Sequence, residues 1–136
     1  MDVFSKEKRS EVMSRIKGRD TKLEVKVRSQ LFRDGFRFRK NDKRYPGKPD
    51  ILLPKYKTAI FINGCFWHHH ANCKYAYVPK TRRKFWVEKF KKNKERDKKN
   101  LSLLKNMGWK VIISWECRLK NGFAKCIKKM KKNIEA

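Results

Sequence analysis

The stretch PGKPDILLPKYKTAIFINGCFWHHHANC, residues 46–73, decides the fold. It holds two apolar runs, 50–53 and 57–63, joined by the tight connection PKY. Short apolar runs bounded by proline, glycine and asparagine predict two neighbouring β-strands. Thiols, imidazoles and aromatic rings follow directly after the second strand. The sequence therefore places its most reactive side chains at the end of a strand.

Helical patterns flank this stretch on both sides. Upstream, we predict a short basic helix up to Gly18 and a second helix that begins at the capping-box pair Thr21 and Glu24 and stops at Gly35. FRFRK, residues 36–40, alternates like a strand. Downstream, we predict a long helix over 83–107, a strand over 109–117 and a last helix over 122–135. The order α-α-β-β-β-α-β-α predicts an α/β fold, a mixed β-sheet flanked by helices.

The chain is strongly basic, with 39 lysines and arginines against 13 acids and a formal charge of +26. A nucleic acid is the leading partner for this charge, although a solubility-driven surface or a lysine-rich genomic bias would also produce it. The 136 residues predict one domain, 1–136, with a basic N-terminal helix in 1–20 that packs on or reaches to DNA and a basic C-terminal helix in 119–136. We see no signal peptide and no apolar run of about 20 residues, so we expect a cytoplasmic, nucleoid-associated protein without a membrane partner.

Four residues have the chemistry of a zinc site, which favours thiolate and imidazole ligands in a tetrahedron. Cys65 and Cys73 are eight positions apart with His70 between them, so one loop can fold them around an ion. Cys117 would join them from the end of the last strand. Buried packing is the alternative for such cysteines, and it is our interpretation of Cys126, on the apolar face of the last helix.

Asp50 is the leading candidate for a catalytic metal ligand. It follows a proline at the start of a strand, where many nucleases bind Mg²⁺ through carboxylate and carbonyl oxygens. The acid–x–lysine pattern usual on the next strand is absent, and His68, just past that strand, suits a general base near neutral pH. The alternatives are a strand-start cap for Asp50 and helix capping for Glu24. We interpret Asp97, in the middle of the long helix, as a partner of neighbouring basic residues or a buried structural acid.

The sequence resembles the very short patch repair endonucleases, the Vsr family of DNA mismatch endonucleases. The resemblance rests on RSEVMSRIKGRDTKLE, PGKPDILLPKYKTAIFINGCFWHHH, PKTRRKFWVEKFKKNKERDKK and MGWKVIISWEC, which occur in family order over roughly residues 9–118. It implies a restriction-endonuclease-like fold with a structural zinc. It also implies Mg²⁺-dependent nicking of one DNA strand on the 5′ side of the T in a T:G mismatch, which arises when 5-methylcytosine deaminates.

The resemblance also implies roles for individual residues. Asp50 and the backbone oxygen of Ile62 would bind Mg²⁺, His68 would be the general base, and Glu24 a supporting acid of the active site. Asn63 stands where some members have a second histidine; an asparagine can hydrogen-bond a phosphate or water but cannot act as an acid near neutral pH. The one-residue-longer spacing from His70 to Cys73 makes His69 an alternative zinc ligand.

Four apolar side chains would separate the bases beside the mismatch, where a wobble pair stacks poorly. The resemblance implies that Phe66, Trp67 and Trp86 enter from one groove and Met13 from the opposite one. The alternatives are loop packing over the zinc for Phe66 and Trp67, and core packing for Trp86 and Met13.

The partners implied are double-stranded DNA with a T:G mismatch and, functionally, a cytosine DNA methyltransferase. A monomer suits an asymmetric mismatch. Two other functions stay open at this point: a nuclease of the same fold with different specificity, and a zinc-stapled DNA-binding protein without catalysis.

Overall fold

The computed structural model describes residues 21–136, so the predicted basic helix before Thr21 and the candidate wedge residue Met13 lie outside the described residues. Within residues 21–136, four helices and four strands follow one another. The helices are α1 (Lys22–Arg33), α2 (Arg83–Asn106), α3 (Glu116–Asn121) and α4 (Phe123–Glu135). The strands are β1 (Arg39–Lys40), β2 (Ile51–Leu53), β3 (Thr58–Asn63) and β4 (Lys110–Trp115).

The strands form one mixed sheet in the order β1-β2-β3-β4. β2 pairs antiparallel with β1 and β3, and a short 3-10 turn, Pro54–Tyr56, makes the tight connection between β2 and β3. β3 and β4 run parallel because the long helix α2 separates them along the chain. The predicted α/β fold with a mixed sheet flanked by helices is therefore confirmed.

Two of the predicted strands are shorter than expected. The 36–40 prediction is wrong except at Arg39–Lys40, because Phe36 completes the end of α1: its N–H donates to the Leu31 carbonyl over 3.0 Å. Gly35 sits between them at φ 95°, as a glycine-terminated helix requires. The last strand ends at Trp115 instead of 117, and the chain turns there into helix α3, which the sequence did not predict.

Both faces of the sheet are covered. Alternating side chains of β2 point to opposite sides, so Ile51 and Leu53 join the core under α1 and α4 while Leu52 faces α2. The last helix, α4, belongs to the first core, to which it contributes the buried residues Ile127, Met130 and Ile134. Across residues 21–136, no helix has the length and apolar character to cross a membrane.

Gly47 makes a close contact in the loop before β2. Its φ is 78°, and a Cβ atom built there would lie 3.1 Å from the Phe61 ring and 3.2 Å from the Asn100 Cβ. The loop thus rests directly on β3 and on α2 at this point.

Candidate active site and metal centre

A cleft of about 790 Å³ opens between the start of α1, the end of β3 and the middle of α2. The structure brings most of the predicted site residues together there. Its lining includes Glu24, Asp50, Ile62, Asn63, Phe66, Trp67 and His68.

Asp50 sits one residue before β2, where the β2–β3 pairing ends. Its Oδ2 accepts the N–H of Ile62 over 2.6 Å. The carboxylate thus binds a backbone N–H of β3 just beyond the last β2–β3 pair, Ile51 with Ile60. Burial raises the pKa of Asp50 to about 6, an effect that the Ile62 N–H opposes and the nearby Glu24 carboxylate reinforces. A buried carboxylate of this kind gains strongly from a bound cation.

Glu24 caps the start of α1 and also lies at the cleft, so its position is compatible with both of the roles that the sequence suggested. Its N–H bonds the Thr21 Oγ1 over 3.2 Å, which is the predicted cap, while its own carboxylate faces the cleft and is 3.2 Å from the Arg28 guanidinium. Both charged side chains are buried, at 9% and 7% exposure.

His68 has a carboxylate partner that sequence reasoning missed. Its Nδ1 lies 2.6 Å from Oδ2 of Asp97 on α2, and the other Asp97 oxygen is 3.5 Å from Arg96. The predicted pairing of Asp97 with a basic neighbour is confirmed by Arg96, but this contact is longer than the contact with His68. The sequence offered one signal for this pair: Asp97 is an aspartate in the middle of a lysine-rich helix, and His68 is a histidine that follows a strand. The buried side chain of Asn63 lines the cleft beside this pair.

The four predicted zinc ligands converge on one point. The ligand atoms of Cys65, His70, Cys73 and Cys117 all lie within 4.8 Å of one another. The His70 Nδ1 is 3.7 Å from the Cys65 sulfur and 3.5 Å from the Cys117 sulfur. A tetrahedron with ordinary zinc–ligand bond lengths has edges of about 3.5–3.8 Å, so the donor set fits this metal.

Local structure explains this convergence. Cys117 comes from the first turn of α3 and not from the strand, which corrects our expectation, and its N–H points at the Cys65 sulfur over 3.4 Å. Burial raises the pKa of the Cys65 thiol to about 12, so a cation would be needed to hold it as a thiolate. The His70 ring stacks on Trp115 at 3.9 Å.

His69 and Cys126 lie outside this group. The His69 ring stacks on Phe90 with centroids 4.5 Å apart, so it is His70 that joins the cysteines. The Cys126 thiol contacts the Arg118 carbonyl at 3.3 Å and packs against the first core, as predicted.

Aromatic rings cover the mouth of the cleft. The Phe66 ring contacts those of Trp67, Trp86 and Phe90 at 5.2, 5.4 and 5.2 Å. Asn93 fixes the loop by donating to the Trp67 carbonyl over 3.0 Å. Trp67 and Trp86 stay partly exposed, so both indoles are accessible at the surface as well as packed against Phe66.

A buried carboxylate beside a histidine–carboxylate pair, in a chain of this charge, favours the class of DNA endonucleases. The family described as DNA mismatch endonuclease Vsr matches residues 1–74. The type II nicking enzyme V.NmeAIP of Neisseria meningitidis is 57% identical over 88% of this chain and 85% of its own length. The DNA mismatch endonuclease Vsr of Escherichia coli is 46% identical over 88% of this chain and 76% of its own. The chain belongs to the Vsr family of DNA mismatch endonucleases.

Proposed function

We propose that this protein nicks double-stranded DNA on the 5′ side of the T in a T:G mismatch, with Mg²⁺, in the repair of deaminated 5-methylcytosine. One observation carries the proposal: Asp50, the His68–Asp97 pair and the aromatic cluster around Phe66 converge on a single cleft. Two of the relatives described above are named as a mismatch endonuclease and a nicking enzyme. The formal charge of +26 provides binding to DNA phosphates.

Asp50 and the Ile62 carbonyl are the proposed ligands of the magnesium ion. The N–H and C=O of one strand residue point to the same side, and the Ile62 N–H already points at Asp50. One carboxylate and one carbonyl are hard oxygen ligands that leave positions for water and a substrate phosphate. When bound, the ion would polarise the phosphate and activate water for attack. Glu24 adds negative charge at the same cleft and serves as the supporting acid.

His68 is the proposed general base. Its Nδ1 contact with Asp97 favours the tautomer that carries a proton on Nδ1, and the Nε2 atom is then free to accept a proton from water. Asn63 lines the same cleft and would hydrogen-bond the phosphate or the attacking water, without exchanging a proton.

A structural zinc at Cys65, His70, Cys73 and Cys117 would hold the loop that follows β3. That loop carries Phe66 and Trp67, which with Trp86 form the proposed wedge, as well as His68. Preorganised side chains are what a site acting on distorted DNA needs. Met13 is proposed to act from the opposite groove.

Four further proposals follow from the family. They are a restriction-endonuclease-like fold, a single domain over 1–136, action as a monomer, and a functional link to a cytosine DNA methyltransferase in the same cell.

Nicking of one labelled duplex with a single T:G pair tests the proposal, with the matching C:G duplex and Asp50→Ala alongside. A nick beside the T, only in the mismatched duplex and absent with Asp50→Ala, is expected. Cutting of both duplexes would indicate a nuclease of different specificity. Tight binding without cutting, at any flanking sequence, would indicate a binding protein.

A further inference from the structure

A second aromatic surface lies beside the wedge cluster, on the loop 74–82 and the first turn of α2. Tyr75, Tyr77 and Phe85 are 45%, 58% and 44% exposed there. Single exposed aromatic residues are common on proteins, but three within eleven residues form a patch that needs an explanation. None of the roles described so far uses these side chains.

Two rings of this surface, those of Tyr77 and Phe85, contact the wedge. The Tyr77 ring lies 5.2 Å from the Phe66 ring, and the Phe85 ring lies 5.3 Å from the Trp86 ring. Rings therefore run without interruption from the mouth of the cleft to the outer surface. A base displaced at the wedge would meet these rings next.

Positive charge accompanies the exposed rings. The Lys74 ammonium lies 5.2 Å from the centroid of Tyr75, and the Arg82 guanidinium lies 4.4 Å from that of Phe85. The sequence contains no aspartate or glutamate between Asp50 and Glu88. Cations interleaved with exposed rings are the arrangement by which proteins bind unpaired nucleotides, because the rings stack on bases while the cations neutralise phosphates.

The surface is held at both ends. Its loop begins directly after Cys73, a member of the cysteine–histidine group, and the Ala76 N–H donates to the Cys73 carbonyl over 3.0 Å. It ends where α2 begins, at Arg83. The rings are thus presented by a loop with two fixed ends.

We propose that Tyr77, together with Tyr75 and Phe85, forms a stacking platform for an unpaired DNA base next to the wedge. The platform deepens the proposed function and rests on it, since a wedge that unstacks the bases beside a mismatch makes unpairing of a neighbouring base less costly. Stacking on a ring face does not depend on base identity, so the platform contributes affinity for unpaired DNA and no sequence preference.

Tyr77→Ala tests the platform, with Tyr77→Phe as the variant that keeps the ring. The matched control is Phe32→Ala: Phe32 is 54% exposed, carries Arg37 over its ring at 4.1 Å, and lies on α1 away from the wedge. Fluorescence anisotropy would measure Kd in Mg²⁺-free buffer for a duplex with a three-thymidine bulge and for the fully paired duplex. A 5-iodouracil in the bulge would report stacking by photo-crosslinking.

We expect Tyr77→Ala to bind the bulged duplex about five- to tenfold more weakly, while the paired duplex changes less than about twofold. Tyr77→Phe and Phe32→Ala should match the wild type, and the wild-type crosslink should map to Tyr77 or a neighbouring ring. Equal weakening of both duplexes, or no change, would overturn the platform. So would a crosslink that maps elsewhere.

The result is separable from the proposed nicking activity. The bulged duplex supplies unpaired bases without any mismatch, so the platform can be confirmed even if the wild type does not cut T:G duplexes. Conversely, specific T:G nicking with unchanged Tyr77→Ala binding would reject the platform alone.

Discussion

The Nδ1 atom of His68 lies 2.6 Å from the Oδ2 atom of Asp97, although 29 residues separate them in the chain. The contact joins the loop after β3 to the middle of α2 across the cleft. It fixes the orientation of the imidazole ring, so under the proposed function Asp97 would act on the chemistry through His68.

Asp97→Asn should therefore lower the nicking rate without weakening DNA binding. The amide can donate to Nδ1 and favour the wrong tautomer, and losing an oriented base costs about 10²- to 10⁴-fold in rate. Single-turnover nicking of a T:G duplex measures the effect. Glu95→Gln, which removes an exposed acid of the same helix, is the control and should cut at the wild-type rate. An Asp97→Asn rate within twofold of the wild type would contradict this role.

Stability should depend on pH through Asp50. Its folded-state pKa of about 6 lies above the unfolded value of about 3.9, so folding favours the protonated form. The stabilisation is complete below the unfolded value and is lost as the pH rises through 6. At pH 8 without divalent cations, Asp50→Asn should be more stable than the wild type by up to about 3 kcal/mol, a gap that closes below pH 4.

Urea unfolding across this pH range measures the difference in unfolding free energy between Asp50→Asn and the wild type. Asp42→Asn is the control variant whose effect on stability should have the opposite sign. The Arg44 guanidinium lowers the pKa of Asp42 to about 2, so that variant should be less stable than the wild type at neutral pH. This loss of stability should shrink as the pH falls towards 2.

Added Mg²⁺ should raise the Tm of the wild type and leave that of Asp50→Asn unchanged. Identical pH profiles for Asp50→Asn and the wild type would refute the buried-carboxylate account.

Removing one member of the cysteine–histidine group should unload the metal. Cys117→Ser is expected to lose bound zinc and about 3–5 kcal/mol of unfolding free energy, because the free energy that zinc binding adds to folding is lost. Elemental analysis of purified protein gives the zinc content and thermal unfolding gives the stability. Cys126→Ser, which removes a thiol outside the group, should keep one zinc per chain. Retention of full zinc in Cys117→Ser would show that another residue completes the site.

Trp67→Ala should reduce discrimination between mismatched and paired DNA. The indole contacts Phe66 and Trp86 and is partly exposed at the cleft, so its loss removes the apolar side chain that offsets base unstacking. We expect the T:G over C:G affinity ratio to fall by about tenfold or more, measured by competition binding. Phe32→Ala serves again as the exposed-aromatic control. An unchanged ratio would leave Trp67 with a packing role only.

The buried ion pair of Glu24 and Arg28 lies at the cleft, and the effects of its two side chains on stability should be strongly coupled. Arg28→Met leaves the Glu24 carboxylate buried without this cation and should cost about 3–5 kcal/mol of stability. The double variant with Glu24→Gln should cost less than the sum of the single changes. A double-mutant cycle in urea measures the coupling, and strict additivity would show that the pair does not act as a unit.

Local patterns predicted much of this molecule. Glycine-terminated helices, the capping pair Thr21 and Glu24, and the apolar runs of β2 and β3 follow from rules that act over a few residues. The cysteine–histidine group was also predictable, because three of its members share one short loop. The helix around Cys117 was not, since WKVIISWEC continues the apolar pattern past the point where the chain turns. The contact of His68 with Asp97 was missed because the neighbouring Arg96 already accounted for an acid at position 97.

Gly47 lies where the loop that leads to Asp50 contacts β3 and α2. The loop that leads to Asp50 rests on α2 through this residue, at Asn100, one helical turn from Asp97. Neither Asp50 nor His68 takes part in that contact. A Cβ atom at position 47 would press on the Phe61 ring and on Asn100, so a substitution there would have to shift one of them. We expect the alignment of Asp50 with His68 to respond to a change at a residue that touches neither of them.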